Sequence, residues 1–240
     1  MKAPYQLTPM HSWHVQNGAQ TSVVDGWVRV LAYGDSQAEI KASNCDVGIC
    51  DVTPISKIDV QGKRSGERLQ ELTGMPLPDV GGCASILLKG YSKAVYVVGL
   101  SAERYMVLAG AAVRKQLYTH LAEAAAEPGC VHVTDVTSAF AAVQFFGPMT
   151  TALLKKLGSA PVDQIQSDRC VQTSTARVWS LLIHHQAGQG SAWLLLVSRD
   201  FGQYVWESVL GVGQKFGIRP FGMLAAQGIT GMEEIDVAAL

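Results

Sequence analysis

The hydrophobic and polar positions of this chain follow a pattern that occurs twice. Asp51-Val52-Thr53 leads into an apolar, strand-like run at 55–60, and Asp135-Val136-Thr137 leads into another at 140–146, an offset of 84 residues. Each run stops at a glycine, Gly62 or Gly147. A short helical pattern follows, carried by Leu69 and Leu72 in the first copy and by Leu154 and Leu157 in the second. Gly74 and Gly158 stand where a left-handed C-cap would end those helices. Residues 94–98 and 179–183 then read as strands, each joined across a polar turn to a further strand, 105–109 and 192–197. An amphipathic helix closes each copy, on Val113, Leu117 and Leu121 in the first and on Phe201, Val205 and Val209 in the second. Asp200 is placed to N-cap the latter helix, and Gly217 to follow its end.

Each half therefore reads strand, helix, strand, hairpin, strand, helix, which is an α+β order and not a doubly wound one. The pseudo-repeats span about 51–126 and 135–217. Each is too small to bury a core alone, so residues 1–240 are expected to form one domain of two lobes, with the glycine- and proline-rich 74–82 and the segment 158–168 as internal connections. Ahead of the first copy, 35–45 reads as a helix with Ser36 and Glu39 at capping-box spacing.

Composition narrows the function classes. Nineteen basic against twenty acidic residues give a net charge of −1, which leaves no footprint for a nucleic-acid backbone. No window is long and apolar enough for a spanning helix, and the first residues lack a signal-type apolar region, so a cytoplasmic protein is expected. Five cysteines, Cys45, Cys50, Cys83, Cys130 and Cys170, are odd in number and without C-x-x-C spacing, and they read as small buried hydrophobes. His11 and His14, three apart, lack a nearby carboxylate, so no metal site is assigned. His184-His185 ends an apolar strand, with one ring expected inside and one outside. The repeated Asp-x-Thr reads as a turn in which a carboxylate holds a backbone N–H. No catalytic constellation emerges from these residues alone.

Two stretches resemble known families. His14, Gly18-Ala19, Gly26-Trp27, Tyr33, the run from Val47 to Thr53 and Lys57-Ile58-Asp59-Val60-Gln61-Gly62 are similar in order and spacing to the opening of the glycine-cleavage T-protein. Phe146-Gly147-Pro148, Arg169-Cys170-Val171-Gln172-Thr173, Ala176-Arg177-Val178 and the run from Leu195 to Phe201, followed by Trp206, resemble the sarcosine oxidase gamma subunit. The resemblance implies a T-protein-like folate-binding fold of two duplicated α+β lobes around a central pocket, here lacking the C-terminal barrel domain. It implies tetrahydrofolate as the cofactor. Ile55, Tyr96, Arg177 and Trp193 are the candidate pocket-lining residues.

At the positions matching the family's folate-binding carboxylates and arginines this chain has Ala84 and Ser85, or Lys93 and Ala94, then Leu194 and the stretch 226–230. Those departures point to a non-catalytic subunit like the gamma chain, partnered by a flavin-dependent amine oxidoreductase or by a second copy of itself. The alternatives are a folate-dependent aminomethyl or methyl transferase with a divergent pocket, and a folate-type binding module serving cofactor maintenance. The stretch from Ile218 to Leu240, with Phe221, Met223, Leu224, Ile229, Met232, Ile235 and Val237, is apolar enough to form a partner contact.

Overall fold

Two twisted sheets, laid inner face to inner face, hold the chain's central core, and helices cover their outer faces. The computed structural model describes residues 4–91, 94–125, 131–187, 190–226 and 228. The N-terminal part contributes α1 (His11–Gln16), the hairpin β1 (Gln20–Val24) and β2 (Trp27–Ala32), α2 (Ser36–Cys45) and β3 (Gly48–Asp51). The first lobe then follows with β4 (Ser56–Gln61), α3 (Ser65–Thr73), β5 (Cys83–Leu87), β6 (Ala94–Ser101), β7 (Arg104–Ala109) and α4 (Arg114–Ala124). The second begins at β8 (His132–Asp135) and continues through β9 (Phe140–Phe146), α5 (Thr150–Leu157), β10 (Arg169–Thr175), β11 (Val178–Ala187), β12 (Gly190–Ser198) and α6 (Gly202–Gly213). Two short elements close the described chain, β13 (Arg219–Pro220) and α7 (Met223–Ala226).

One sheet runs β5-β6-β7-β4-β8 and the other β10-β11-β12-β9-β3-β13. From β4 outward and from β9 outward, the two sheets have the same antiparallel order. The short strand that precedes each lobe's first long strand crosses over: β3 pairs with β9 of the second lobe, and β8 pairs with β4 of the first. Each lobe therefore completes the other's sheet, and neither closes without its neighbour.

The alternation along the strands explains the layers. On β12, Ala192, Leu194 and Leu196 face the central core, while Trp193, Leu195 and Val197 face away. The outward set packs with Leu153, Leu154 and Leu157 of α5 and with Val205, Trp206 and Val209 of α6. On the other sheet, Ile58, Val60, Val95, Val97 and Val107 meet Leu69 of α3 and Leu117 and Leu121 of α4. The central core draws Cys50, Val52, Ile55, Cys83, Val98, Met106, Leu108, Leu181 and Ile183 from both sheets.

Several expected caps change character. Gly74 and Gly217 do take left-handed conformations, φ 68° and 67°, whereas Gly158 is extended and bridges to Thr175. The α2 N-cap is Asp35, whose carboxylate accepts from Gln37 N at 2.9 Å. Glu39 is thereby released inward, where it accepts from Tyr33 N at 2.6 Å and from Gly222 N at 2.9 Å. Asp200 lies in a 3-10 turn before α6 and makes no capping bond. Phe221 is buried against Phe146, Leu224 is 59% exposed, and Ile229, Met232, Ile235, Val237 and Leu240 lie outside the described residues.

Candidate functional site

Polar groups gather at two places along the seam between the lobes. The first is where the edge strands β5 and β10, in different sheets, are stitched together. Gly82 and Arg169 form an antiparallel bridge, flanked by Cys83 N donating to Asp168 O and Cys170 N donating to Gly81 O, both at 2.8 Å. The stitch turns the Cys83 and Cys170 side chains toward the same side, against the central core. Beside them the Tyr96 hydroxyl donates to Asp168 Oδ1 at 3.0 Å. Asp168 is exposed and holds φ 58°, a conformation that aspartate tolerates better than most residues. The Tyr96 ring meets His185 edge-on at 6.2 Å, and Gln144 Nε2 donates to His185 Nε2 at 2.9 Å. An apolar interior thus ends in a rim of phenol, carboxylate, imidazole and amide.

Electrostatics fix the protonation of this rim. Burial, with the Asp168 carboxylate beside it, raises the Tyr96 phenol, so Tyr96 remains a hydrogen-bond donor. The Cys83 thiol is raised by its interaction with Cys170 and by burial. The same interaction, helped by Arg169, lowers the Cys170 thiol against the effect of burial, so Cys170 ionises first of the two.

The second cluster lies where the crossing strand β3 meets α1. His14 Nε2 donates to Asp51 Oδ2 at 3.0 Å, and His14 Nδ1 shares a hydrogen bond of 2.7 Å with the Tyr33 hydroxyl. Both members of the His14–Asp51 pair are buried. Burial acts to raise the Asp51 carboxyl, but the hydrogen bond and electrostatic pull of His14, with the Thr53 and Thr8 side chains, outweigh it and hold the group below the usual carboxylate range. Tyr33 and Trp13 also line a surface cleft of about 420 Å³, with Asp35, Glu39, Gln214 and Arg219. One strand further in, the fully buried Lys57 donates from Nζ to Thr53 O (2.8 Å), Ile55 O (2.9 Å) and Thr137 O (3.3 Å). Its acceptors come from both lobes.

The sequence-derived site residues do not all converge. Ile55 is buried in the central core and Tyr96 packs against that core at the rim. Trp193 points to the opposite face of its sheet, where its indole stacks on His184 at 4.1 Å. Arg177 is exposed in the tight β10–β11 turn at φ 67°. Of the histidine pair, His185 faces inward as alternation requires, and His184 is held under the outer layer by Ile165 O at 2.8 Å. Leu194 is buried in the central core, Ala84 faces the first lobe's helices, and Lys93 and Thr230 lie outside the described residues.

Each Asp-x-Thr element is a turn: Asp51 Oδ1 accepts from Thr53 N at 2.9 Å and Asp135 Oδ1 from Thr137 N at 3.0 Å. The second carboxylate oxygen is free for other work, toward His14 at Asp51 and toward Arg114 Nε (2.6 Å) at Asp135. Sequence reasoning missed the His14–Asp51 pair, 37 residues apart, and the meeting of Cys83 with Cys170. The cysteines are also less uniform than expected: Cys45 is exposed, Cys170 half-buried, and Cys130 lies outside the described residues. Among the described residues no group of three or more His, Cys, Asp or Glu is placed to hold a metal ion. No described helix is long and apolar enough to cross a membrane.

Residues 10–233 match the GCVT N-terminal domain. An aminomethyltransferase of Chlorobium limicola is 25% identical over 230 residues, which cover 90% of this chain and 62% of that protein. Sarcosine oxidase subunit alpha of Corynebacterium sp. strain U-96 is 26% identical over 91% of this chain but only 25% of its own length. The glycine cleavage system aminomethyltransferase T of Bartonella henselae superposes with a TM-score of 0.81 at 17% identity, over 92% of this chain and 60% of that one. A chain of the heterotetrameric sarcosine oxidase from Corynebacterium sp. U-96 superposes with a TM-score of 0.58 at 19% identity, over 76% of this chain and 92% of that one. The chain thus spans about three-fifths of the aminomethyltransferases it matches. These relatives overturn the expectation of a non-catalytic gamma-type subunit: they are aminomethyltransferases and the alpha subunit of an oxidase. The physical ground of that expectation was the loss of charge at Ala84 and Leu194, and it considered only positions matched in sequence. The fold places other polar groups, Asp168 and His185, at the edge of the same interior.

Proposed function

This chain belongs to the GCVT N-terminal domain family, and from that premise we propose that it is the folate-binding module of a one-carbon transferase acting on aminomethyl or methyl groups, with a divergent pocket. The observation that carries the reading is the apolar core between the two sheets, which ends in Tyr96, Asp168, His185 and Gln144. A flat heteroaromatic ring with hydrogen-bonding edges needs an apolar slot closed by a few placed polar groups. Ile55 and Tyr96 would line the slot. Asp168 would supply the carboxylate that Ala84 and Leu194 do not, opposing the positive charge that develops at the transferred carbon's nitrogen. His185, held by Gln144, is the group able to carry a proton there. Tetrahydrofolate is the cofactor class, and it would supply the nitrogen that accepts the one-carbon group.

The reading treats the lobes as copies of one unit, supported by their common strand order and the repeated Asp-Val-Thr. It treats residues 1–240 as one domain whose open side is closed by a further domain, a partner subunit such as an amine oxidoreductase, or a second copy, in a cytoplasmic protein. The test is thermal denaturation with tetrahydrofolate. At a hundredfold excess over Kd, binding to the native state alone should raise Tm by about 5–10 °C, and Asp168→Asn should abolish most of the rise. No shift at millimolar tetrahydrofolate would overturn the reading.

A further inference from the structure

We propose that Cys83 and Cys170 form a peroxide-sensitive dithiol site whose oxidation ties the edges of the two sheets together. Eighty-seven residues separate the two cysteines in sequence, and the stitch between β5 and β10 brings them side by side. Each cysteine lies one residue past the Gly82–Arg169 bridge, so both side chains leave the ladder on the same side and pack on the same core. They are close enough for each thiol to shift the ionisation of the other. Cys170 is half-buried and within reach of solvent, whereas Cys83 is buried beneath it. That is the arrangement of an attacking thiol backed by a resolving one. The remaining described cysteines lack it: Cys45 is exposed, and Cys50 is buried beside the Asp51 carboxylate, with burial and that charge pushing its thiol up to about 12.

The chemistry balances with a hydroperoxide as oxidant. The Cys170 thiolate attacks one peroxide oxygen; an S–O bond forms, the O–O bond breaks, and the leaving oxygen takes a proton to become water or an alcohol. Cys83 sulfur then attacks the Cys170 sulfenic acid; the S–S bond forms, the S–O bond breaks, and water leaves with the remaining thiol proton. Two thiols give up two electrons and one peroxide accepts them.

Cys83 stands opposite Asp168 in the ladder, which makes Cys170 its diagonal neighbour, about 7–8 Å away between α-carbons in a flat ladder and less in a twisted one. A disulfide needs about 4.4–6.8 Å. Closing the bond therefore draws the two edges together beside Tyr96, and the resulting bond is readily reduced. The proposal does not depend on which ligand the interior takes, and its test contains no folate.

Reduced full-length protein is treated natively with hydrogen peroxide, denatured, alkylated, and mapped by mass spectrometry. The expected result is the loss of two alkylatable thiols, found as one Cys83–Cys170-linked peptide and restored by a dithiol reductant, while Cys45 remains alkylated. In Cys83→Ser the oxidation should stop at a Cys170 sulfenic acid that dimedone traps. In Cys170→Ser, Cys83 should stay reduced. Oxidation of Cys45 ahead of Cys170, a disulfide through Cys45 or Cys130, or retention of both thiols under excess peroxide would each overturn the proposal. The wild-type map decides the matter alone if either variant fails to fold.

Discussion

Replacing Lys57 by methionine tests what holds the two lobes at their seam. Methionine keeps all but the last atom of the side chain's reach and removes the donor. The structure gives Lys57 Nζ three backbone acceptors, at 2.8, 2.9 and 3.3 Å, from Thr53 and Ile55 before β4 and from Thr137 before β9. Withdrawing the donor from a buried carbonyl costs about 1–3 kcal/mol for each well-made bond. Part of that is offset because a charge no longer has to be held out of water. A net loss of about 2–4 kcal/mol is expected, or about 5–15 °C in Tm for a chain of this size.

The pH dependence carries a second signature. Burial first, then the Arg114 and Arg199 charges, pushes the Lys57 ammonium down to about 7 from 10.5, against the pull of Asp51 and Asp135. Between those values the unfolded chain binds a proton that the folded chain does not, so stability rises with pH, by at most about 1.4 kcal/mol per unit. Below pH 7 the penalty is fully present. Methionine has no such penalty, so the deficit of Lys57→Met relative to wild type should widen from pH 6 to pH 9. Urea unfolding of both proteins across that range measures it. A deficit under about 1 kcal/mol at every pH, or one that narrows as pH rises, would refute the reasoning.

Two further perturbations probe neighbouring features. Asp51→Asn breaks the buried pair with His14 and should cost about 2–4 kcal/mol near neutrality by urea unfolding. Because the folded Asp51 carboxyl is held below its ordinary 3.8, its contribution is present above that pH and is lost as pH falls below it, so variant and wild type should converge in acid. Gly147→Ala sets a β-carbon against the carbonyl oxygens of Asp46 and Ser43 at φ 102°, and it should lower stability by about 2–4 kcal/mol in the same assay.

Periodicity within an element was legible in the sequence; pairing between distant elements was not. The faces of α4, on Leu117 and Leu121, and of α6, on Val205 and Val209, are buried as their spacing predicts, whereas Val113 and Phe201 fall in the 3-10 turns that precede these helices and Phe201 is 50% exposed. The glycines that end β4 and β9 both carry positive φ, 132° at Gly62 and 102° at Gly147. The edge strands β5 and β10 escaped notice. Cys83–Leu87 is short and lies beside a glycine- and proline-rich connection, and Arg169–Thr175 alternates polar residues on an exposed edge. Nothing local marks either as a strand, since each is held by its partner and by the stitch between them. His14 gave no signal because its carboxylate partner is 37 residues away and reaches it only after β3 has crossed to the second lobe.

That crossing explains why the polar groups lie where they do. A strand inserted into the neighbouring lobe's sheet brings its preceding and following loops to the seam, and their backbone carbonyls and amides must then be satisfied away from water. At the end of β3 the Asp51 side chain holds Thr53 N, and Lys57 takes up Thr53 O and Ile55 O. At the end of β8 Asp135 holds Thr137 N, and Lys57 reaches across to Thr137 O, so one lysine serves both crossings. The seam has two ends. This end is saturated, with a side chain or backbone partner at every group named here. The other end, at Tyr96, Asp168, Cys83 and Cys170, is half-buried and partly exposed, and its carboxylate accepts from the Tyr96 phenol across the sheet edges. A fold that joins its halves by exchanging strands at one end is left with sheet edges at the other, and edges held by a single bridge, with exposed polar groups, are where binding and chemistry have room to act.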